Sequence, residues 1–370
     1  MKKFLIERKL VKQIDFSLLI AVILISIFGC ANIYSATFRT LGFHTMLNQV
    51  LYIFIGLIII YVLLLFDYNL IGNFSSIFYW VGVILLLYTD VAVSRIKGAK
   101  SWISVGSFTI EPGEVIKFAL ILFLAKKIDS MEGDVNSPKN LIKILFYAAI
   151  PIAFIIKQPN LGLALICIFT VFTMLYISKL KLKIIFASIL TGIIAIVLIL
   201  NLHLLQGYQL ARLTSFINPK SSQSDNTLQV DNAMLAIGSG GIYGEGFLKG
   251  TQVSGGFIPE DQTDMIFSVV GEEWGLIGSG LLILTYAFVL FRIIQISKQS
   301  KDIIGKLICV GAFAALSFSV FQNIGMNIRL MPIAGITLPF MSAGGSSMIT
   351  NMATIGLVLN VGMRKKKINF

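Results

Sequence analysis

Charge is what this chain has least of. Only 13% of its 370 residues are Asp, Glu, Lys or Arg, against 56% hydrophobic, and the mean hydropathy is +0.87. A water-soluble domain cannot hide that much apolar surface, so a soluble fold is excluded. Histidine occurs twice, at the isolated His44 and His203, which leaves little material for a histidine metal site or a Ser-His triad. The three cysteines, Cys30, Cys167 and Cys309, lie in apolar runs with neither disulfide nor zinc spacing, and they read as packing residues. No phosphate-binding glycine loop, dinucleotide fingerprint or internal repeat is visible, so chemistry on a soluble nucleotide donor lacks its usual equipment.

What the chain does have is apolar runs. Stretches of roughly 20 residues can cross about 30 Å of hydrocarbon, and they begin near Leu18, Val50, Ile77, Val115, Phe146, Leu163, Ile184, Met265, Ile308 and Met341. Backbone polar groups in lipid must be satisfied internally, so such runs are helices. The expected fold is an all-α polytopic membrane protein, one domain over residues 1–370. It has about ten transmembrane helices, with residues 205–264 forming a large extracytoplasmic loop between the seventh and eighth. The first run lacks a small-residue cleavage site and reads as a signal anchor.

The formal charge of +12 comes from 30 basic and 18 acidic residues. Its distribution points to a membrane, not to nucleic acid. Lys2, Lys3, Arg8, Lys9 and Lys12 precede the first run, Lys179, Lys181 and Lys183 fill a short loop, and Arg364 to Lys367 follow the last run. By the positive-inside rule both termini are expected in the cytoplasm.

Acids cluster elsewhere. The Gln229–Gly278 stretch holds seven of the 18: Asp231, Glu245, Glu260, Asp261, Asp264, Glu272 and Glu273. It is also rich in glycine and runs straight into an apolar helix. One reading is a solvated loop, and the other is a site on the outer face. A second unusual stretch, Arg95–Lys117, puts Lys97 and Lys100 on that face against the charge rule, which an anionic ligand would explain. Trp102 to Ile110 alternates as a hairpin or interfacial segment would. Pro112 suits a first helical turn, and Glu114 with Lys117, three apart, can pair on one helix face. A charged pair entering a membrane helix is a functional candidate, with a structural ion pair as the alternative. Leu210–Ile217 and Leu228–Ile237 are expected to be interfacial helices, Arg212 facing headgroups. In Asn323–Ser347, Pro332, Pro339, Gly344 and Gly345 interrupt a hydrophobic run, as helices broken beside a cavity do.

These blocks, KGAKSWI at Lys97, EPGEVIKFALI at Glu111, QPNLG at Gln158, the glycine-rich stretch from Ala236 through PEDQTD, and NIGMNIRLMPIAGITLPFMSAGGSS at Asn323, occur in the order found in the SEDS family (shape, elongation, division and sporulation). The chain resembles that family, the RodA, FtsW and SpoVE proteins, over nearly its whole length. The resemblance implies a peptidoglycan glycosyltransferase of the bacterial cytoplasmic membrane. It would polymerise lipid II on the outer face, partnered by a class B penicillin-binding protein transpeptidase in a wall-synthesis complex. The family's P-E-x-x-T-D motif places its essential aspartate on Asp264, and the Glu and Lys of its Q-P-S-E-x-x-K motif fall on Glu114 and Lys117. The family often has Arg at Ser101, Asp at Asn160, Gln and Ser at Glu111 and Gly113, and Gly at Arg329. Asn160 removes an acid from the expected cavity.

The chemistry agrees with that function. Transfer from a prenyl pyrophosphate sugar to a sugar hydroxyl needs a base for the hydroxyl proton, and Asp264 at the membrane surface is the choice. The departing pyrophosphate needs cations, which Lys97, Lys100, Arg212 and Lys249 would supply, with a divalent cation, Mg or Mn, as an alternative carrier of that charge. Trp102, Glu114, Lys117, Asn160, Glu260, Thr263 and Ser342 complete the expected substrate-binding set. Two rival readings stand beside it: a flippase or transporter using Glu114, Lys117, Glu272 and Glu273, and an inactive scaffold for the transpeptidase. Asp264 also has a structural alternative, capping the helix expected from Met265.

Overall fold

The computed structural model describes residues 8–40, 42–92, 101–105, 108–131, 134–181, 183–184, 216 and 225–365. Ten helices carry the architecture of that part: α1 (Phe16–Thr37), α2 (His44–Leu65), α3 (Ser75–Ala92), α4 (Pro112–Asp129), α5 (Pro138–Lys157), α6 (Leu161–Ile177), α7 (Asp225–Ser239), α8 (Ile266–Gln299), α9 (Ile303–Asn327) and α10 (Gly345–Met363). Seven of them, α1, α2, α3, α5, α8, α9 and α10, are long and apolar enough to cross a membrane. The run expected from Ile184 as a seventh span lies outside the described residues, as does Leu210–Ile217 apart from residue 216.

Local sequence chemistry sets the boundaries. Asp15 caps α1, its Oδ1 accepting from the Leu18 N–H at 3.1 Å, while Oδ2 pairs with Arg292 of α8 at 2.5 Å. Pro112 and Pro138 sit in the first turns of α4 and α5, where a missing N–H costs nothing. Asn160 and Asp302 cap α6 and α9, accepting from the Leu163 and Gly305 N–H groups at 3.2 and 2.8 Å. Between α3 and α4 the expected hairpin is present: β1 (Ile103–Val105) pairs antiparallel with β2 (Phe108–Ile110), Ile103 opposite Ile110.

The layering inverts that of a soluble protein. Helices α2 and α5 bury few residues and turn apolar side chains such as Phe54, Ile58, Ile142 and Phe146 outward, as lipid-facing helices do. Helix α10 is buried almost throughout, packed against α2, α4, α8 and α9, although it carries Ser347, Thr350, Asn351, Thr354 and Asn360. Polar residues in a membrane bundle face its interior. The least apolar of the candidate spans is therefore the central one.

One boundary differs from expectation: α10 starts at Gly345 instead of near Met341. Residues 330–344 leave the helical path because Pro332 and Pro339 cannot donate, and the freed carbonyls are taken by neighbouring side chains. Gln322 Nε2 donates to Pro332 O at 3.1 Å, Asn323 Nδ2 to Ile336 O at 2.7 Å, and the Tyr286 hydroxyl to Pro339 O at 2.5 Å. The expected helix at Leu228–Ile237 is the middle of α7.

Helix α8 kinks at Gly275, whose φ of 63° leaves the helical region. The glycine-rich loop before it repairs the break. Glu245 and Gly246 N–H groups donate to the carbonyls of Glu272 and Glu273, at 2.9 and 3.1 Å, and the Leu276 and Ile277 N–H groups donate to those of Gly241 and Ile242, at 2.9 and 3.2 Å. A side chain at Gly275 would put its Cβ 2.4 Å from the Gly244 nitrogen. Glycine is thus required at the kink by conformation and by space.

Candidate active site

At the end of the bundle where α4, α6, α8 and α10 all begin, a cavity of about 440 Å³ opens, lined by residues from each of the unusual stretches. Ser101, Trp102 and Thr109 come from the hairpin segment, Glu111 from the start of α4, and Pro159 and Asn160 from the α5–α6 turn. Gln229 comes from α7, and Glu260, Thr263 and Asp264 from the loop before α8. The irregular segment before α10 and the first turn of α10 supply the rest, with Thr337, Ser346 and Ser347 as their hydroxyls.

The loop carrying Asp264 is pinned from below by amides and hydroxyls. Asn323 and Asn327 Nδ2 both donate to the Asp264 carbonyl, at 2.9 and 3.2 Å. Ser342 Oγ donates to Thr263 O at 2.6 Å, and the Ala343 N–H to Gln262 O at 2.9 Å. The Glu260 carbonyl accepts from both the Thr263 and Met265 N–H groups, at 3.1 and 3.0 Å, in a turn that holds Glu260 at a φ of 58°. A left-handed glutamate costs of order 1–2 kcal/mol and persists only where its surroundings over-determine it. The cap position of α8 falls on Met265, which makes no side-chain cap, and Thr263 Oγ1 turns instead to Glu260 Oε2 at 3.1 Å. The cap position thus falls one residue past the Asp264 that the structural alternative named as the cap.

Beneath the cavity lies the expected ion pair. Lys117 Nζ donates to Glu114 Oε2 at 2.7 Å, both side chains are buried, and Thr350 Oγ1 of α10 donates to the same oxygen at 3.0 Å. Neither residue lines the cavity wall. Glu111, one turn above, does line it. Burial raises the Glu111 carboxyl above the usual carboxylate range, the Glu114 charge adds to the rise, Lys117 opposes it, and Asp264 raises it further. Glu111 is the cavity residue that the expected substrate-binding set left out; the signal available was a second acid in the four-residue Glu-Pro-Gly-Glu start to α4.

Of the remaining expected residues, Trp102, Asn160, Glu260, Thr263 and Asp264 all line the cavity. Ser342 does not: it is buried, with its hydroxyl spent between Thr263 O and the Leu338 N–H at 2.8 Å, so it holds the loop and cannot contact a ligand there. Lys249 is exposed and also absent from the lining, because the 245–253 segment folds over α8 instead. Lys97, Lys100 and Arg212 lie outside the described residues. Glu272 and Glu273 are engaged with that segment. Glu272 accepts from the Gln252 and Val253 N–H groups at 2.6 and 3.0 Å, and Glu273 accepts from the Leu248 N–H at 3.2 Å and from the Ser35 hydroxyl of α1.

Comparison with known proteins follows this geometry. The family model that covers FtsW, RodA and SpoVE, described as a cell cycle protein, matches residues 12–367. The chain belongs to the FtsW/RodA/SpoVE family. Stage V sporulation protein E of Bacillus subtilis (strain 168) is 30% identical over 94% of this chain and 96% of its own length. The peptidoglycan glycosyltransferase MrdB of Escherichia coli (strain K12) is 29% identical over 96% and 95%. Among solved structures, a chain of a peptidoglycan synthase complex that coordinates polymerization and crosslinking superposes with a TM-score of 0.78 at 26% identity, covering 94% of this chain and 97% of that one. A mutant form of the Thermus thermophilus rod shape determining protein RodA gives 0.73 at 25%, covering 96% and 99%.

One departure from the family pattern has a direct structural account. Arg329, where the family often has Gly, sits at a φ of 57°, a conformation glycine adopts freely. Its guanidinium meets the Asp231 carboxylate of α7, so the strained backbone gains an ion pair that ties α7 to the end of α9.

Proposed function

We propose that this peptidoglycan glycosyltransferase polymerises lipid II at the cavity, with Asp264 as general base. The observation that carries the reading is the convergence of the P-E-x-x-T-D loop with Trp102, Asn160 and Glu111 around one opening of a size suited to the sugars of a lipid-linked donor. Asp264 takes the acceptor hydroxyl proton as that oxygen attacks the anomeric carbon. The glycosyl–phosphate bond breaks, and the pyrophosphate leaves on the prenyl chain. A single displacement on an α-linked donor yields a β-linked glycan.

Charge on the leaving pyrophosphate needs a counter-charge, and the described lining residues include no Lys or Arg. Lys97 and Lys100, which lie outside the described residues, are the cations the sequence offers for that role, Lys100 being the chain neighbour of the wall residue Ser101. Among the described residues no group of three or more His, Cys, Asp or Glu side chains suits a metal ion. A Mg or Mn ion held by one carboxylate, such as that of Glu260, and by the substrate's own phosphates fits this donor set, and it would neutralise the same charge.

By the charge rule the cavity end faces outward and both termini are cytoplasmic. A class B penicillin-binding protein is the partner this family resemblance supports, its transmembrane helix lying against the exposed apolar face of α8 near Leu276, Leu281 and Leu284. Purified protein incubated with lipid II, followed by gel separation of glycan products, tests the activity directly: ladders of strands are expected, and unreacted lipid II would contradict it.

A further inference from the structure

Two departures from the family pattern, Asn160 for Asp and Glu111 for Gln, read in the sequence as unrelated changes 49 residues apart. In the structure they are partners. Asn160 Nδ2 donates to Glu111 Oε1 at 2.8 Å. Its Oδ1 accepts from the Leu163 N–H at 3.2 Å, and this cap fixes which end of the amide faces Glu111. Exchanging the two side-chain chemistries preserves every bond: an Asp at 160 would accept from the Leu163 N–H and from the amide of a Gln at 111. Asn and Asp are also comparable caps. Only the direction of the hydrogen bond and the seat of the charge change.

That seat moves from the start of α6 to the start of α4. Both are helix N-termini, where the backbone dipole favours an anion. Glu111 is held at its new post by its N–H, which donates to Ser346 Oγ at 2.9 Å, and Ser346 itself lines the cavity. The acid that Asn160 removes is therefore restored across the hydrogen bond, in the same wall of the cavity as before and with Asp264 in the lining.

We propose that Glu111 and Asn160 work as one exchangeable pair, in which the Glu111 carboxyl is the second acid of the cavity and positions the acceptor sugar by accepting from one of its hydroxyl or amide N–H groups. The inference rests on the polymerase reading of the cavity. Glu111 is a positioning residue on this account, and Asp264 alone moves the proton.

The test is a cycle of four full-length proteins, wild type, Glu111→Gln, Asn160→Asp and the double variant, assayed with lipid II for kcat and KM across pH. Each single change should lower the polymerisation rate by about tenfold or more, the first by replacing the carboxyl with an amide and the second by setting two acids in contact. The double variant should recover to within about threefold of wild type, a non-additivity expected only of coupled residues. Its acidic rate limb should also move to lower pH, because an Asp capped by a backbone N–H ionises more readily than a buried Glu. A structural bond alone would restore folding without moving that limb. Single effects that add in the double variant, or a limb that stays put, would overturn the pairing while leaving wild-type polymerase activity intact. Should the single variants fail to fold, wild type and double variant alone still decide through the limb. A wild type that makes no glycan would sink the polymerase reading itself, and the pairing with it.

Discussion

The acidic stretch before and within α8 divides into two groups only a few residues apart, and they do opposite things. Glu260 and Asp264 line the cavity, whereas Glu272 and Glu273, about two turns further on, accept from backbone N–H groups of the 245–253 segment. Carboxylates that spend their lone pairs on main-chain donors fix a loop. Around the cavity the bonds run the other way: Asn323, Asn327 and Ser342 hold the main chain of the loop that carries Asp264 into the cavity wall. Proximity in sequence does not distinguish the two roles; the origin of the hydrogen bonds does.

The largest effect should come from a third acid, buried below both groups. Glu114→Ala leaves Lys117 charged in an apolar surround, a loss of about 3–5 kcal/mol, and little folded protein is expected by size-exclusion chromatography in detergent. The double change Glu114→Gln with Lys117→Met should restore much of the folded yield. Equal yields from the two would show that the pair carries no such burden.

Next in size, Glu272→Ala strands the Gln252 and Val253 N–H groups, at about 1–3 kcal/mol for an unmet buried donor, so thermal unfolding should come at lower temperature. Polymerisation per folded molecule should stay close to wild type. A stable Glu272→Ala protein with lost activity would move that residue into the cavity group.

A smaller effect, read in pH, concerns Asp261. Burial pushes its carboxyl up to about 7, the Gln262 N–H opposes this, and the Glu260 charge adds to it. The folded state therefore holds a proton that the unfolded chain has released above its ordinary value of 3.8. Stability falls as pH rises from that value to about 7 and is flat beyond it. Asp261→Asn should remove the slope and stabilise the protein on the alkaline side. An unchanged slope would place the titration elsewhere.

Much of this was legible in the sequence. Hydrophobic length gave the helices, Pro112 and the three-residue spacing gave the Glu114–Lys117 pair, and the alternation after Trp102 gave the hairpin. Each of these is a local rule acting on neighbours in the chain. The misreadings were long-range. Ser342 reads as a site hydroxyl until Thr263, 79 residues away, is seen to take it. Glu111 reads as an isolated departure because its partner Asn160 belongs to another turn, and the two acids of α8 look like translocation residues until the glycine loop folds back onto them. The kink at Gly275 was equally hidden, since one glycine in an apolar helix is commonplace and only the pairing with Gly241 and Ile242 reveals the break.

The division between the two acidic groups is tested most directly by Asp264→Asn, assayed with lipid II beside wild type and with thermal stability measured on the same samples. The change is isosteric and leaves the Asn323 and Asn327 bonds to the residue 264 carbonyl in place, so stability should match wild type. Polymerisation should fall by at least about a hundredfold, the lower range for losing a general base. A stable Asp264→Asn protein that still makes long glycan strands would contradict the account and assign the base to another residue of the cavity.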